Sequence, residues 1–164
     1  MTERLTTPIT EPTPITGQEG ITHRNTPSGA LIEFYSAFNN GDLALMHQNW
    51  LNTREAVMSN PLGGIKRGWE EIHTVYHQIF NGPAHIYVEF YDYTIVEENG
   101  VFQAVGRERG ALIIGEKKLP LDIRTSRLFI LRDNRYKQLH HHGSIENPQQ
   151  LNRYQQAVFN GKAE

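Results

Sequence analysis

The sequence predicts an α+β fold in which N-terminal helices pack on one face of a strongly curved antiparallel sheet. Three observations lead there. Helical periodicity is confined to the stretch after residue 27 and to the last dozen or so residues, alternating apolar and polar residues fill the chain after Pro83, and no strand–helix–strand repeat occurs. With 164 residues, 38% of them hydrophobic and 21% charged, there is material for one core and not two.

The first 27 residues hold eight Thr and four Pro, and only Leu5, Ile9, Ile15 and Ile21 as large aliphatic side chains. So little apolar surface does not offset the entropy of ordering the segment, which predicts a flexible arm over 1–27 ahead of a domain over 28–160. An arm that docks on a partner subunit is the alternative. From Ser28, Leu31, Ile32, Phe34, Tyr35 and Phe38 recur at helical spacing until Asn39-Asn40-Gly41 stops them. Asp42 is placed to cap a short second helix carrying Leu43, Leu45, Met46 and Trp50. An extended segment, Glu55–Ser59, leads into the turn Asn60-Pro61-Leu62-Gly63-Gly64. Gly68 opens a third helix through Phe80, with Ile72, Val75, Tyr76 and Ile79 on one face. Four strands follow, Ala84–Val96, Val101–Ile114, Leu119–Leu131 and Tyr136–Ser144, and Pro148–Phe159 reads as a closing helix.

Charge and composition exclude several functions. Sixteen Lys+Arg against eighteen Asp+Glu give a net charge of -2 with no basic block, so no nucleic-acid partner is expected. The absence of cysteine removes disulfides, thiolate catalysis and Cys-based metal sites. No apolar run approaches the ~20 residues that span a bilayer, and the first residues lack the apolar core of a signal peptide, so a cytoplasmic protein without membrane contact is expected. His73 and His77 sit four apart on the third helix beside Glu70, but the glutamate that should follow the first histidine of a metalloprotease is missing. They read as surface histidines, and neither metal nor cofactor is expected.

Several phrases carry a family likeness: Phe38-Asn39-Asn40-Gly41-Asp42, Ser126-Arg127-Leu128-Phe129, Asp133-Asn134-Arg135-Tyr136, and the His-x-His-x-Ser of His140, His142 and Ser144. With the order of elements, they resemble the nuclear transport factor 2-like superfamily, and within it SnoaL-like proteins and the association domain of calcium/calmodulin-dependent protein kinase II. The resemblance implies a cone with a pocket between helices and sheet, a homodimer formed through the outer sheet face, and pocket arginines at the positions of Arg107 and Arg127. This chain departs from the association domain at Gly143, where an arginine is usual, and at Ile32, which stands in place of a pocket glutamate. Since the fold hosts isomerases, dehydratases, hydrolases, binders and assembly modules, the likeness does not choose among them.

Strand register supplies candidate site residues. A three-residue loop Glu116-Lys117-Lys118 would set Arg107 opposite Arg127 and Arg109 opposite Thr125. A two-residue turn Asp133-Asn134 would add His140 opposite Arg127 and His142 opposite Thr125, and Tyr136 shares that face. Facing cations need a shared anion, so this face reads as a site for a small, partly apolar ligand with an acidic or carbonyl group. Val105 and Ile113 fall on the same face, and Glu108 and His141 on the opposite one, which leaves no acidic group inward on the assigned strands. If a reaction occurs, His140 or Glu89 is the candidate base of a cofactor-free lyase, isomerase or hydrolase. The third possibility is a non-catalytic oligomerisation module.

Overall fold

Each helix begins where a side chain or a charge can serve its exposed amides. In the computed structural model, which describes residues 13–161, α1 (Pro27–Asn40) is capped by Thr26, whose side chain accepts from the Gly29 amide. Asp42 does the same for α2 (Leu43–Asn49) at the Leu45 amide, and Asn147 for α4 (Pro148–Asn160) at Gln150. α3 (Trp69–Asn81) starts at Gly68 without a side-chain cap, and Glu70 and Glu71 lie in its first turn, where the helix dipole favours negative charge.

Between and after these helices run β1 (Val57–Ser59), β2 (Lys66–Arg67), β3 (His85–Glu98), β4 (Val101–Ile114), β5 (Lys117–Arg132) and β6 (Arg135–Ser144). They form one sheet in the order β2-β1-β6-β5-β4-β3. The four long strands are an antiparallel meander, while β1 lies parallel to β6 and makes the sheet mixed. The helices cover its inner face, and Leu31, Phe34, Tyr35, Trp50, Phe90, Phe102 and Phe129 are fully buried between the two layers. Among the described residues, no helix is long and apolar enough to cross a membrane.

The register differs from the expected one in two places. β4 and β5 are joined by a two-residue turn, Gly115-Glu116, with Ile114 paired to Lys117 and Gly115 at φ +59°. Arg107 therefore faces Arg124, Arg109 faces Asp122 and Arg127 faces Ala104. The displacement is by three residues, an odd number, so it turns every β4 side chain to the other side of the sheet. In β6, Leu128 pairs with His140 but Phe129 pairs with Gln138, so Leu139 is an extra residue that reverses the face of everything after it. A similar irregularity at Asp92-Tyr93 in β3, with Asp92 at φ +46°, places Tyr93 against Gly106 of β4.

The arm expected to be flexible over 1–27 is, in its described part, docked on its own domain. Ile15 exchanges both backbone hydrogen bonds with Phe90 at 2.9 Å each and is itself buried. Asn39 Nδ2 donates to the Thr16 carbonyl and the Tyr93 hydroxyl to that of Thr13. These are backbone attachments, which a count of apolar side chains does not register; residues 1–12 lie outside the described region. At Gly17, with φ +84°, an added Cβ would lie 2.3 Å from the Ser36 amide nitrogen of α1. Gly17→Ala should detach this segment, lower stability by about 1–3 kcal/mol and open Arg24 to trypsin. Unchanged cleavage kinetics would show that the docking does not depend on this close approach.

Candidate functional site

Between the inner sheet face, α1 and α3 lies a cavity of about 30 Å³, room for one or two water molecules. Phe34, Phe38, Tyr76 and Ile123 make its walls largely apolar, Asn60 lies at its edge, and Glu108, Arg127 and His141 supply its buried polar groups. Glu108, Arg127 and His141 are each at least 94% buried. Two of them, Glu108 and His141, are those that the expected register had turned outward.

Arg127 is held from four sides. Its Nη2 donates to Glu108 Oε1 at 2.9 Å, its Nη1 to Gln138 Oε1 at 2.7 Å and its Nε to the Tyr35 hydroxyl at 3.4 Å. Its guanidinium carbon also lies 3.6 Å from the centre of the Phe34 ring. Tyr35 in turn donates to Glu108 Oε1 at 2.7 Å, closing a triangle of Tyr35, Glu108 and Arg127. Burial works against the charge of Arg127, but the oxygens of Tyr35, Glu108 and Tyr76 outweigh it and raise its pKa. Burial, reinforced by Glu108, pushes the Tyr35 phenol well above its ordinary value, so it stays a neutral donor. The polar chain continues from Gln138 Nε2 to Asn49 Oδ1, and from Asn49 Nδ2 to Glu33 Oε1, at 3.3 and 3.1 Å. Glu33 is 1% exposed and is held by Arg24 and Arg135 at 2.6 Å each.

His141 has one nitrogen engaged and one not. Nε2 lies 2.8 Å from Thr125 Oγ1, while Nδ1 is buried without a partner. The Thr125 hydroxyl also donates to the His142 carbonyl at 3.2 Å. One hydroxyl proton cannot serve both contacts, so the network assigns the ring proton to Nε2, which donates to Thr125, and leaves Nδ1 as a bare acceptor. Burial first, and the Arg127 charge next, depress the His141 pKa well below 6.5 and keep the ring neutral.

The other sequence candidates do not meet in this cavity, although Arg107, Thr125 and His142 line one open surface cleft. Thr125, Arg127 and Tyr136 lie on the inner face, where Tyr136 donates to Glu97 at 2.6 Å away from the cavity. Arg107 and Arg109 lie on the outer face, half-exposed, with Arg107 3.7 Å from Asp92 and Arg109 2.6 Å from Glu89. Glu89 is thus the partner of Arg109 and not a group in the cone. His140 hydrogen-bonds through Nδ1 with the Val57 carbonyl of β1, and His142 is exposed. Val105 and Ile113, expected inward, are 42% and 40% exposed. The facing arginines exist, but as Arg107 and Arg124 on the outer wall, each with its own carboxylate. On α3, His73 meets Trp69 edge to face and lies beside the His77 ring, and no metal-binding cluster of His, Asp or Glu occurs among the described residues.

Two outcomes test this electrostatic design. Arg127→Met should cost on the order of 3–5 kcal/mol in urea denaturation by stranding Glu108, and Glu108→Leu in the same chain should recover much of that loss. Additive losses in the double variant would mean that the two groups are not coupled. His141 binds a proton readily when unfolded but not when folded, so the unfolded state gains protons as pH drops. Wild-type stability should therefore fall below about pH 6.5, by up to ~1.4 kcal/mol per pH unit, and His141→Phe should flatten that slope. An unaltered slope would place the acid sensitivity elsewhere.

Comparison with known proteins agrees with this architecture. One structural neighbour from Thiobacillus denitrificans, provisionally assigned as a calcium/calmodulin-dependent protein kinase type II association domain, superposes with a TM-score of 0.62 at 20% identity, over 79% of this chain and 100% of that one. A provisionally assigned dehydratase of the nuclear transport factor 2-like family from Streptomyces avermitilis gives 0.62 at 18% identity, over 70% and 89%. A superfamily protein from Salmonella enterica gives 0.61 at 15%, over 70% and 84%. At these identities the likeness is one of fold. No curated protein matches the sequence. The SnoaL-like domain profile matches residues 29–148, nearly the whole span from α1 to the start of α4, and the chain belongs to the SnoaL-like family.

Proposed function

We propose that this domain binds a small, uncharged and largely apolar molecule inside the cone, and that Nδ1 of His141 accepts a hydrogen bond from a hydroxyl or similar donor on it. The observation that carries this reading is the buried ring nitrogen without a protein partner on a residue that lines the cavity. A buried acceptor left unmet costs about 1–3 kcal/mol, and a ligand hydroxyl would remove that cost.

The charge balance supports a neutral ligand over the acidic or carbonyl one expected from sequence. Arg127 is already engaged by Glu108, Gln138 and Tyr35, so a carboxylate would meet a site whose cation is neutralised and whose own carboxylate repels it. Binding is also favoured over catalysis. A general base works best with a pKa near the working pH, whereas burial depresses that of His141 and makes it a weaker base than an exposed histidine.

Three probes of similar shape separate these possibilities in a thermal-shift series. Phenol should raise the Tm of the wild type, anisole much less, and benzoate not at all, while His141→Phe should abolish the phenol response. Equal shifts from phenol and anisole would remove His141 from recognition. A larger shift from benzoate would restore the anion site.

A further inference from the structure

One side chain of α4 lines both the inner cavity and a cleft at the surface. Tyr154, 4% exposed, lines the inner cavity together with Glu108, Arg127 and His141. The same residue lines a second, larger cleft of about 340 Å³ between α4 and the start of β5, whose walls include Leu119, Leu121, Gln150 and Arg153. The Tyr154 side chain is therefore shared by the outer cleft and the buried cavity. α4 falls almost wholly beyond residues 29–148, the span that the SnoaL-like profile matches.

Attachment of α4 is slight for an element in this position. Leu151, Tyr154, Ala157 and Val158 form its apolar strip, and two glutamine side chains tie it to backbone. Gln150 Oε1 accepts from the Asp122 amide at 3.0 Å, and Gln155 Nε2 donates to the Pro61 carbonyl at 3.0 Å. Its covalent connection to the sheet is the short segment 145–147 after β6. A helix held by one strip and two side-chain bonds can shift at a fraction of the cost of unfolding the domain.

We propose that Tyr154 is the gate of the cone: ligand enters through the cleft between α4 and β5, and passes inward when α4 moves enough to withdraw the phenol ring. The inference rests on the binding reading above and adds to it the route and the residue that controls it. Because the closed cavity holds only one or two waters, a ring-sized ligand also requires α4 to stay displaced while it is bound.

Xenon is the probe of choice, because it enters apolar cavities without needing a hydrogen bond to His141. Exchange of hyperpolarised xenon into the wild-type protein should be slow, and Tyr154→Ala should speed it by roughly tenfold or more. Tyr154→Phe, which keeps the ring, should leave the rate unchanged. If Tyr154→Ala loses its fold by circular dichroism, Tyr154→Leu serves the same purpose. Equal exchange rates in wild type and the truncated variant would overturn the gate. The phenol experiment fails independently: fast xenon exchange in Tyr154→Ala with no phenol response in either protein would leave the gate standing and remove the hydroxyl reading.

Discussion

The Glu108–Arg127 pair is the constraint around which the interior is arranged. Two charges buried to this extent in an apolar layer are tolerated only when each is met by the other and by further hydrogen bonds. Tyr35, Gln138 and the Phe34 ring supply those bonds and contacts. They come from α1 and β6, so the pair ties the helical layer to the middle of the sheet. The chain of amides through Gln138 and Asn49 then reaches Glu33, where Arg24 and Arg135 bring the network to the surface. One continuous run of polar groups thus fixes how α1, α2, β4, β5 and β6 sit together, which nonpolar packing alone would leave less specific.

Element order and type were legible in the sequence because they depend on local signals. Asp42 sits where the cap of α2 was expected, and the expected Val101–Ile114 strand coincides with β4. The inward faces of β4 and of the end of β6 were not legible, because each depends on a single residue of register. Gly115 at positive φ makes a two-residue turn, and Lys117 and Lys118 belong to β5 and not to a loop. The only sequence signal was the preference for glycine at the first position of such a turn. Nothing in the string Gln138-Leu139-His140 announces the extra residue in β6. That residue is why the site histidine is His141 and its neighbours lie on the far side.

The same error explains the supposed anion site. Arg127, expected to face Arg107 across a ligand site, lies buried against Glu108, the carboxylate that the expected register had put on the opposite face. Alternation shows that a strand has two sides but not which one is wet when both carry charge and aliphatic groups, as in Arg107-Glu108-Arg109 between Val105 and Ala111.

The pairing of Ile15 with Phe90 bears on how this sheet meets other chains. β3 is the long outer margin of the sheet, and open amides along such a margin invite strand addition and aggregation. Ile15 covers the middle of it in cis, and the kink at Asp92 breaks the remainder out of line. The opposite margin, β2, is two residues long. Among the described residues, the Ile15 bridge and the kink at Asp92 thus interrupt the long margin and the opposite one is very short, which shortens the straight runs of open backbone on which a neighbouring molecule could extend the sheet.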